Sequence, residues 1–306
     1  MNTEADAYIE TIRANDTFAH EFSITPNVQY RLGDSSAVMD VIAPMRLERL
    51  NSPDRKAPLV VFVQGSGWTT PNRMYAVGRL EHLVEQGYVV ASVNHRDSLL
   101  GDQPFPGYLC DVKAAIRFLR AHAQQFYIDP QRVGVWGTSS GGNTALLLAM
   151  TGDDPRYADG SNMEFSDAVD YCVACFAPSD IYGVLNGERE RTHEGLRACE
   201  AAAVGVHNTG DTAIQWDDFS EDQQQRAWDM SPYRIATSEQ KYPPILLLHG
   251  DADDVVDYDE SVQLYSKLRS QGHDCRLIRV AGGEHEGNFW STALTDVICH
   301  YIAQQA

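Results

Sequence analysis

Apolar positions along this chain follow two different periods. In segments 58–63, 88–94, 132–136, 168–176 and 244–249, and more briefly in 276–280, they form short runs rich in β-branched residues. Such runs suit strands buried on both faces of a parallel sheet. Between them, segments 73–86, 105–124, 144–150, 259–270 and 289–303 space their apolar residues as amphipathic helices do. Val112, Ala115, Ile116 and Leu119 fall on one such face, while Gly87 and Gly272 end two of the helices. Segments 22–32 and 36–43 alternate and meet at Gly33-Asp34, predicting an antiparallel pair at the sheet edge. Strands alternating with helices predict an α/β architecture: a mostly parallel, doubly wound sheet, helices on both faces, and right-handed crossovers.

One stretch breaks this rhythm. Residues 179–238 are polar and show no strand pattern, with charged runs at 188–191 and 217–222, yet they space out Leu196, Val204, Ile214, Trp216, Phe219 and Trp228. A structureless loop of that length is uncommon inside a compact domain, so the segment is expected to form a small helical cap or lid. No internal repeat or low-complexity tract calls for a second domain, and residues 1–306 are read as one.

Charge narrows the choice of partner. With 24 Lys and Arg against 43 Asp and Glu, the formal charge is −19, which repels phosphate backbones and anionic lipid. A small molecule is therefore expected as partner, and neither nucleic acid nor a membrane; self-association into a homo-oligomer is left open. The start of the chain, Met1 to Asp6, is acidic and leads into no apolar signal region, and no run reaches the roughly 18 to 20 apolar residues of a membrane span. A cytoplasmic location is the default expectation. The six cysteines are scattered over the chain, and Cys172 and Cys175 lie inside a strand-like run with no second pair, so reduced core thiols are expected and not a metal or redox site.

The candidate chemistry lies where strands end. Gly137-Thr138-Ser139-Ser140-Gly141-Gly142 sits between the strand run 132–136 and the helical run 144–150, the context of the nucleophile elbow of α/β-hydrolases. That register assigns Ser139, not Ser140, as the nucleophile. A serine hydroxyl needs a base and the base an orienting carboxylate, in the chain order Ser, acid, His. The loop after 244–249, His249-Gly250-Asp251-Ala252-Asp253-Asp254, supplies acids, and the loop after 276–280, Gly282-Gly283-Glu284-His285, supplies a histidine. No Gly-Lys-Ser/Thr closes the glycine-rich turn, so it is not read as a phosphate cradle. His249 is expected to order its loop, and the remaining histidines to pack or face solvent.

Ser139 in its elbow, the His249–Asp253 loop, the Gly283-Glu284-His285 loop and the Asp129-Pro130-Gln131-Arg132-Val133 entry together resemble bacterial acetyl and feruloyl esterases of the α/β-hydrolase superfamily. These are relatives of the prolyl oligopeptidase catalytic domain and of kynurenine formamidase. The resemblance runs from about Val38 to the C-terminus and is weakest in the cap. It implies the α/β-hydrolase fold, a Ser139–His285–Asp253 triad with Asp254 as next choice of acid, no metal or organic cofactor, and cleavage of short acyl, acetylated sugar or hydroxycinnamate esters. Where relatives carry His-Gly-Gly-Gly-Trp, this chain has Gln64-Gly65-Ser66-Gly67-Trp68. Backbone N–H groups of Ser66, Gly67 and Ser140 are the oxyanion donors so implied. Trp68 and Trp290 flank the site and are candidate pocket residues. Two alternatives stay open on the residues: an amide hydrolase of aminopeptidase or formamidase type, and a catalytically silent ligand-binding homologue.

Overall fold

A computed structural model describes Ile12 and residues 20–31, 33–49, 56–99, 103–191, 193–207 and 215–305. Its elements in chain order are β1 (Phe22–Gln29), β2 (Val38–Pro44), α1 (Met45–Arg49), β3 (Ala57–Val63), α2 (Val77–Glu85), β4 (Val89–Val93), α3 (Gly107–Ala121), β5 (Ile128–Thr138) and α4 (Ser140–Met150). There follow β6 (Tyr171–Cys175), α5 (Ile181–Leu185), α6 (Glu194–Ala203), α7 (Glu221–Asp229), α8 (Pro232–Ile235), β7 (Ile245–Gly250), α9 (Tyr258–Ser270), β8 (Cys275–Val280) and α10 (Thr292–Gln305).

The strands form one eight-stranded sheet in the order β1-β2-β4-β3-β5-β6-β7-β8. β1 pairs antiparallel with β2 and β2 antiparallel with β4, and every other pairing is parallel. This is the α/β-hydrolase fold. All residues of β3, β4, β6 and β7 are buried, as their unbroken apolar runs require, whereas the edge strands β1 and β8 are largely open to solvent. Side chains alternate between two cores. Leu59, Val61 and Val63 join the layer of α3, α4 and α9; Val60 and Phe62 join that of α2 and α10. Each such side chain, fully removed from water, contributes roughly 1.5–3 kcal/mol of transfer free energy.

Cys172 and Cys175 illustrate the alternation: they lie on opposite faces of β6, one in each core, so they do not form a pair. Burial pushes the Cys175 thiol up to about 12. The sequence placed the Asp129-Pro130 step before a strand at 132–136. In the structure β5 already begins at Ile128, because Ala57 pairs with Ile128 ahead of an irregularity and regular pairing resumes at Leu59 and Val133.

Strand order also locates the site. The chain leaves β3 toward β4 on one side and returns to β5 on the other, opening a crevice at the carboxyl ends of β3 and β5, where ligands bind in open α/β sheets. Between β6 and β7 the regular elements among the described residues are all helices. Asp180 caps α5, His193 caps α6, and Ser220 with Gln223 closes a capping box on α7.

Candidate active site

Ser139 occupies a single sharp residue between β5 and α4, with φ 51° and ψ −125°. A left-handed non-glycine residue costs about 1–3 kcal/mol and persists only when its surroundings hold it. Here the Ser139 N–H donates to the Cys175 carbonyl at 2.9 Å, and its own carbonyl accepts from the Asn143 N–H at 3.0 Å. The flanking glycines permit the approach. A Cβ on Gly137 would lie 2.0 Å from the Gly141 carbonyl oxygen, and one on Gly141 would lie 2.1 Å from that of Val63.

Three strand ends converge on this serine. His285, beyond β8, places Nε2 3.0 Å from Ser139 Oγ and Nδ1 2.8 Å from Asp253 Oδ2. Asp253, beyond β7, has a side chain that is 0% exposed, and its Oδ1 accepts from the Val255 and Val256 N–H groups, each at 2.9 Å. His249 Nε2 lies 3.2 Å from Asp253 Oδ2 and 3.0 Å from the Val256 carbonyl, two acceptors, so it carries the proton while Nδ1 accepts from Ser261 Oγ at 2.7 Å. Burial alone would raise the Asp253 pKa. Hydrogen bonds from His249 and His285 outweigh it and hold the carboxyl well below the ordinary range. An ionised Asp253 requires the proton of neutral His285 on Nδ1, leaving Nε2 to accept from Ser139. Phe176 packs edge-on against the His285 ring, centroids 4.7 Å apart.

The other acids of that loop are engaged elsewhere. Asp251 accepts from the Gly282 N–H, Asp257 caps α9, and Asp254 is exposed.

The loop after β3 departs in part from expectation. Its left-handed positions fall on Gly67 and Trp68, at 61° and 62°, and not on Ser66, which explains why a side chain is accepted there. The Ser66 N–H, however, is not free as an oxyanion donor: it donates to Ser140 Oγ at 2.9 Å, because that buried side chain lies directly against the loop. Trp68 is 0% exposed and does not line the cavity, since the turn sends its ring into the core. Trp290 does not line it either. It packs on Phe176 and Phe289 behind Glu286, to which its Nε1 donates at 2.6 Å.

The cavity at Ser139 holds about 420 Å³. Ser139, His285 and Gly67 line it together with Glu286 and with residues that carried no sequence signal, among them Asn72, Tyr75, His193 and Cys199. His193 and Cys199 reach it because α6 packs over the loop after β3, with Cys199 Sγ 3.4 Å from where a Gly67 Cβ would be. Glu286 had one available signal, its position next to His285. It adopts φ 66° and ψ −151°, a region otherwise reserved for glycine, and accepts from Gln64 Nε2 at 3.3 Å. Two depressions, around Tyr242 and around Arg31, are half again as large or more, at about 660 and 670 Å³. Neither contains a nucleophile bonded to a base, and size alone does not outweigh that geometry.

The BD-FAE family model matches residues 39–268. Esterase LipC of Mycobacterium tuberculosis is 28% identical over 260 residues, covering 83% of this chain and 59% of LipC. The probable carboxylic ester hydrolase LipM of the same organism is 29% identical over 217 residues, covering 70% of this chain and 45% of LipM. The chain thus spans about half the length of these curated relatives. A truncated form of a carbohydrate esterase from gut microbiota superposes with a TM-score of 0.76 at 24% identity, over 95% of this chain and 98% of that one, which shows the shared fold.

Proposed function

The chain belongs to the BD-FAE family, and from that premise we propose that it hydrolyses carboxylic esters by acyl transfer through Ser139. The observation that carries the proposal is the continuous path Ser139 Oγ to His285 Nε2, then His285 Nδ1 to Asp253 Oδ2, at 3.0 and 2.8 Å. In this reading Ser139 attacks the acyl carbon while His285 takes its proton, and His285 then protonates the departing alcohol. Asp253 fixes the tautomer and stabilises the imidazolium, and water repeats the sequence to release the acid. The oxyanion is assigned to the N–H groups of Gly67 and of Ser140, the latter opening α4, where the first amides lack intrahelical acceptors and the helix dipole favours negative charge. This cycle moves only protons and an acyl group, so it calls for no metal or organic cofactor.

Segment 179–238 is proposed as a cap on a single α/β-hydrolase domain, with His193, Leu196 and Cys199 forming its wall over the site. The esterase names of LipC and LipM favour esters over the amide alternative, and the family match, with the resemblance to acetyl and feruloyl esterases, favours feruloyl or acetyl groups. No helix among the described residues is long and apolar enough to cross a membrane. The net charge of −19 disfavours phosphate backbones and anionic lipid and so supports a small-molecule ester as partner; a cytoplasmic setting is part of the same proposal. The test is hydrolysis of p-nitrophenyl acetate, butyrate and octanoate and of methyl ferulate by the wild type and Ser139→Ala. Activity that vanishes in the variant is expected; a folded wild type inert on all four overturns the proposal.

A further inference from the structure

Backbone pairing between β3 and β5 ends at Val63 and Gly137, just short of the nucleophile. Beyond it the two chains stay joined by side chains. The Gly65 N–H donates to Thr138 Oγ1 at 2.9 Å, and the next amide, that of Ser66, donates to Ser140 Oγ at 2.9 Å. Thr138 and Ser140 are the residues immediately before and after Ser139, and both are fully or almost fully buried, at 0% and 1% exposure. Both acceptors are thus shielded from solvent, while the amides they hold belong to residues that line the cavity at Ser139. The loop is under strain that needs such anchoring, since Trp68 sits at φ 62°. On its far side, Ser66 Oγ donates to the Thr69 carbonyl while Thr69 Oγ1 donates to that of Ser66, closing the turn on itself. The turn is thus internally rigid and is registered against the elbow through two hydroxyls.

We infer that the hydroxyls of Thr138 and Ser140 are positioning residues that extend the β3–β5 ladder past its last backbone pair and set the Gly67 N–H at its distance from Ser139. The inference rests on the hydrolase reading above and deepens it. Gly67 follows the two tethered amides directly, so a displacement of the loop moves its N–H by a similar amount. An oxyanion donor acts only once charge has developed on the carbonyl oxygen, so displacement lowers kcat and leaves KM nearly alone. The Ser140 side chain holds the loop while its own backbone N–H supplies the second donor, which links the two donors through one residue.

Thr138→Val keeps the shape of the side chain and removes the acceptor; Thr138→Ser keeps the acceptor. With p-nitrophenyl acetate, Thr138→Val and Ser140→Ala are each expected to lose about 10- to 100-fold in kcat, the scale of a loop displaced by up to about 1 Å, with KM within about threefold. Thr138→Ser should recover to within about threefold of wild type. Affinity for a trifluoromethyl ketone, whose adduct carries the oxyanion, should fall in step with kcat/KM. Unchanged kcat in Thr138→Val and Ser140→Ala would overturn the inference. So would a rise in Ser140→Ala, which would mean that its hydroxyl merely blocks the Ser66 donor. Amide hydrogen exchange provides a readout independent of turnover. Gly65 and Ser66 should be protected in the wild type, Gly65 should lose protection in Thr138→Val and Ser66 in Ser140→Ala. Fast exchange of both in the wild type refutes the tethers even if no ester is cleaved, whereas inert but protected protein faults the hydrolase reading alone.

Discussion

Replacing Asp253 by Asn tests how the base is held. The carboxylate has four partners and all of them donate: His285 Nδ1–H and His249 Nε2–H to Oδ2, the Val255 and Val256 amides to Oδ1. Asparagine brings one acceptor oxygen and one NH₂ group. With its oxygen toward the two amides, the NH₂ opposes two imidazole N–H groups. His285 resolves that conflict by moving its proton to Nε2, which then points at Ser139 Oγ across the 3.0 Å gap and cannot receive a proton. With the amide turned over, the clash moves to the backbone. The wrong tautomer costs about 10⁴ in kcat, or about 5.5 kcal/mol at 1.36 kcal/mol per tenfold. The assay is steady-state hydrolysis of p-nitrophenyl acetate, with Asp254→Asn as control; Asp254 is exposed and its replacement should stay within about threefold. Asp253→Asn retaining more than about a tenth of wild-type kcat would refute the reasoning.

Two further outcomes follow from the same environment. Glu286 stands in a glycine-type conformation, so Glu286→Gly should be more stable than Glu286→Ala by about 1–3 kcal/mol in denaturant titrations, because both lose the Trp290 and Gln64 contacts but only glycine sheds the strain; equal stabilities would contradict the strain. Burial raises the Glu200 carboxyl from 4.5 to about 7, with Arg191 opposing and Glu260 reinforcing the shift. A raised pKa means the folded chain holds the extra proton, so this contribution to stability is complete below about 4.5 and is lost as pH rises to about 7; Glu200→Gln should flatten the fall in melting temperature across that window.

Much of this arrangement is legible from local sequence. The apolar runs that become β3, β4, β6 and β7 need only the period of their own side chains to be read as buried strands. The Gly137–Gly141 spacing identifies the elbow because a strained turn leaves no room for side chains on either side. What local sequence leaves open is which groups meet. Four acids crowd residues 251–257, and the contact that separates Asp253 from Asp251, Asp254 and Asp257 comes from His285, 32 residues further on. Likewise His193 and Cys199 enter the cavity wall, Trp68 leaves it, and Ser66 surrenders its N–H to Ser140, each through packing between segments far apart in the chain. Periodicity and turn chemistry are properties of neighbours along the backbone and therefore survive in the sequence alone. The distances that join a nucleophile, a base and its orienting acid arise only when separate strand ends are brought side by side in the folded sheet.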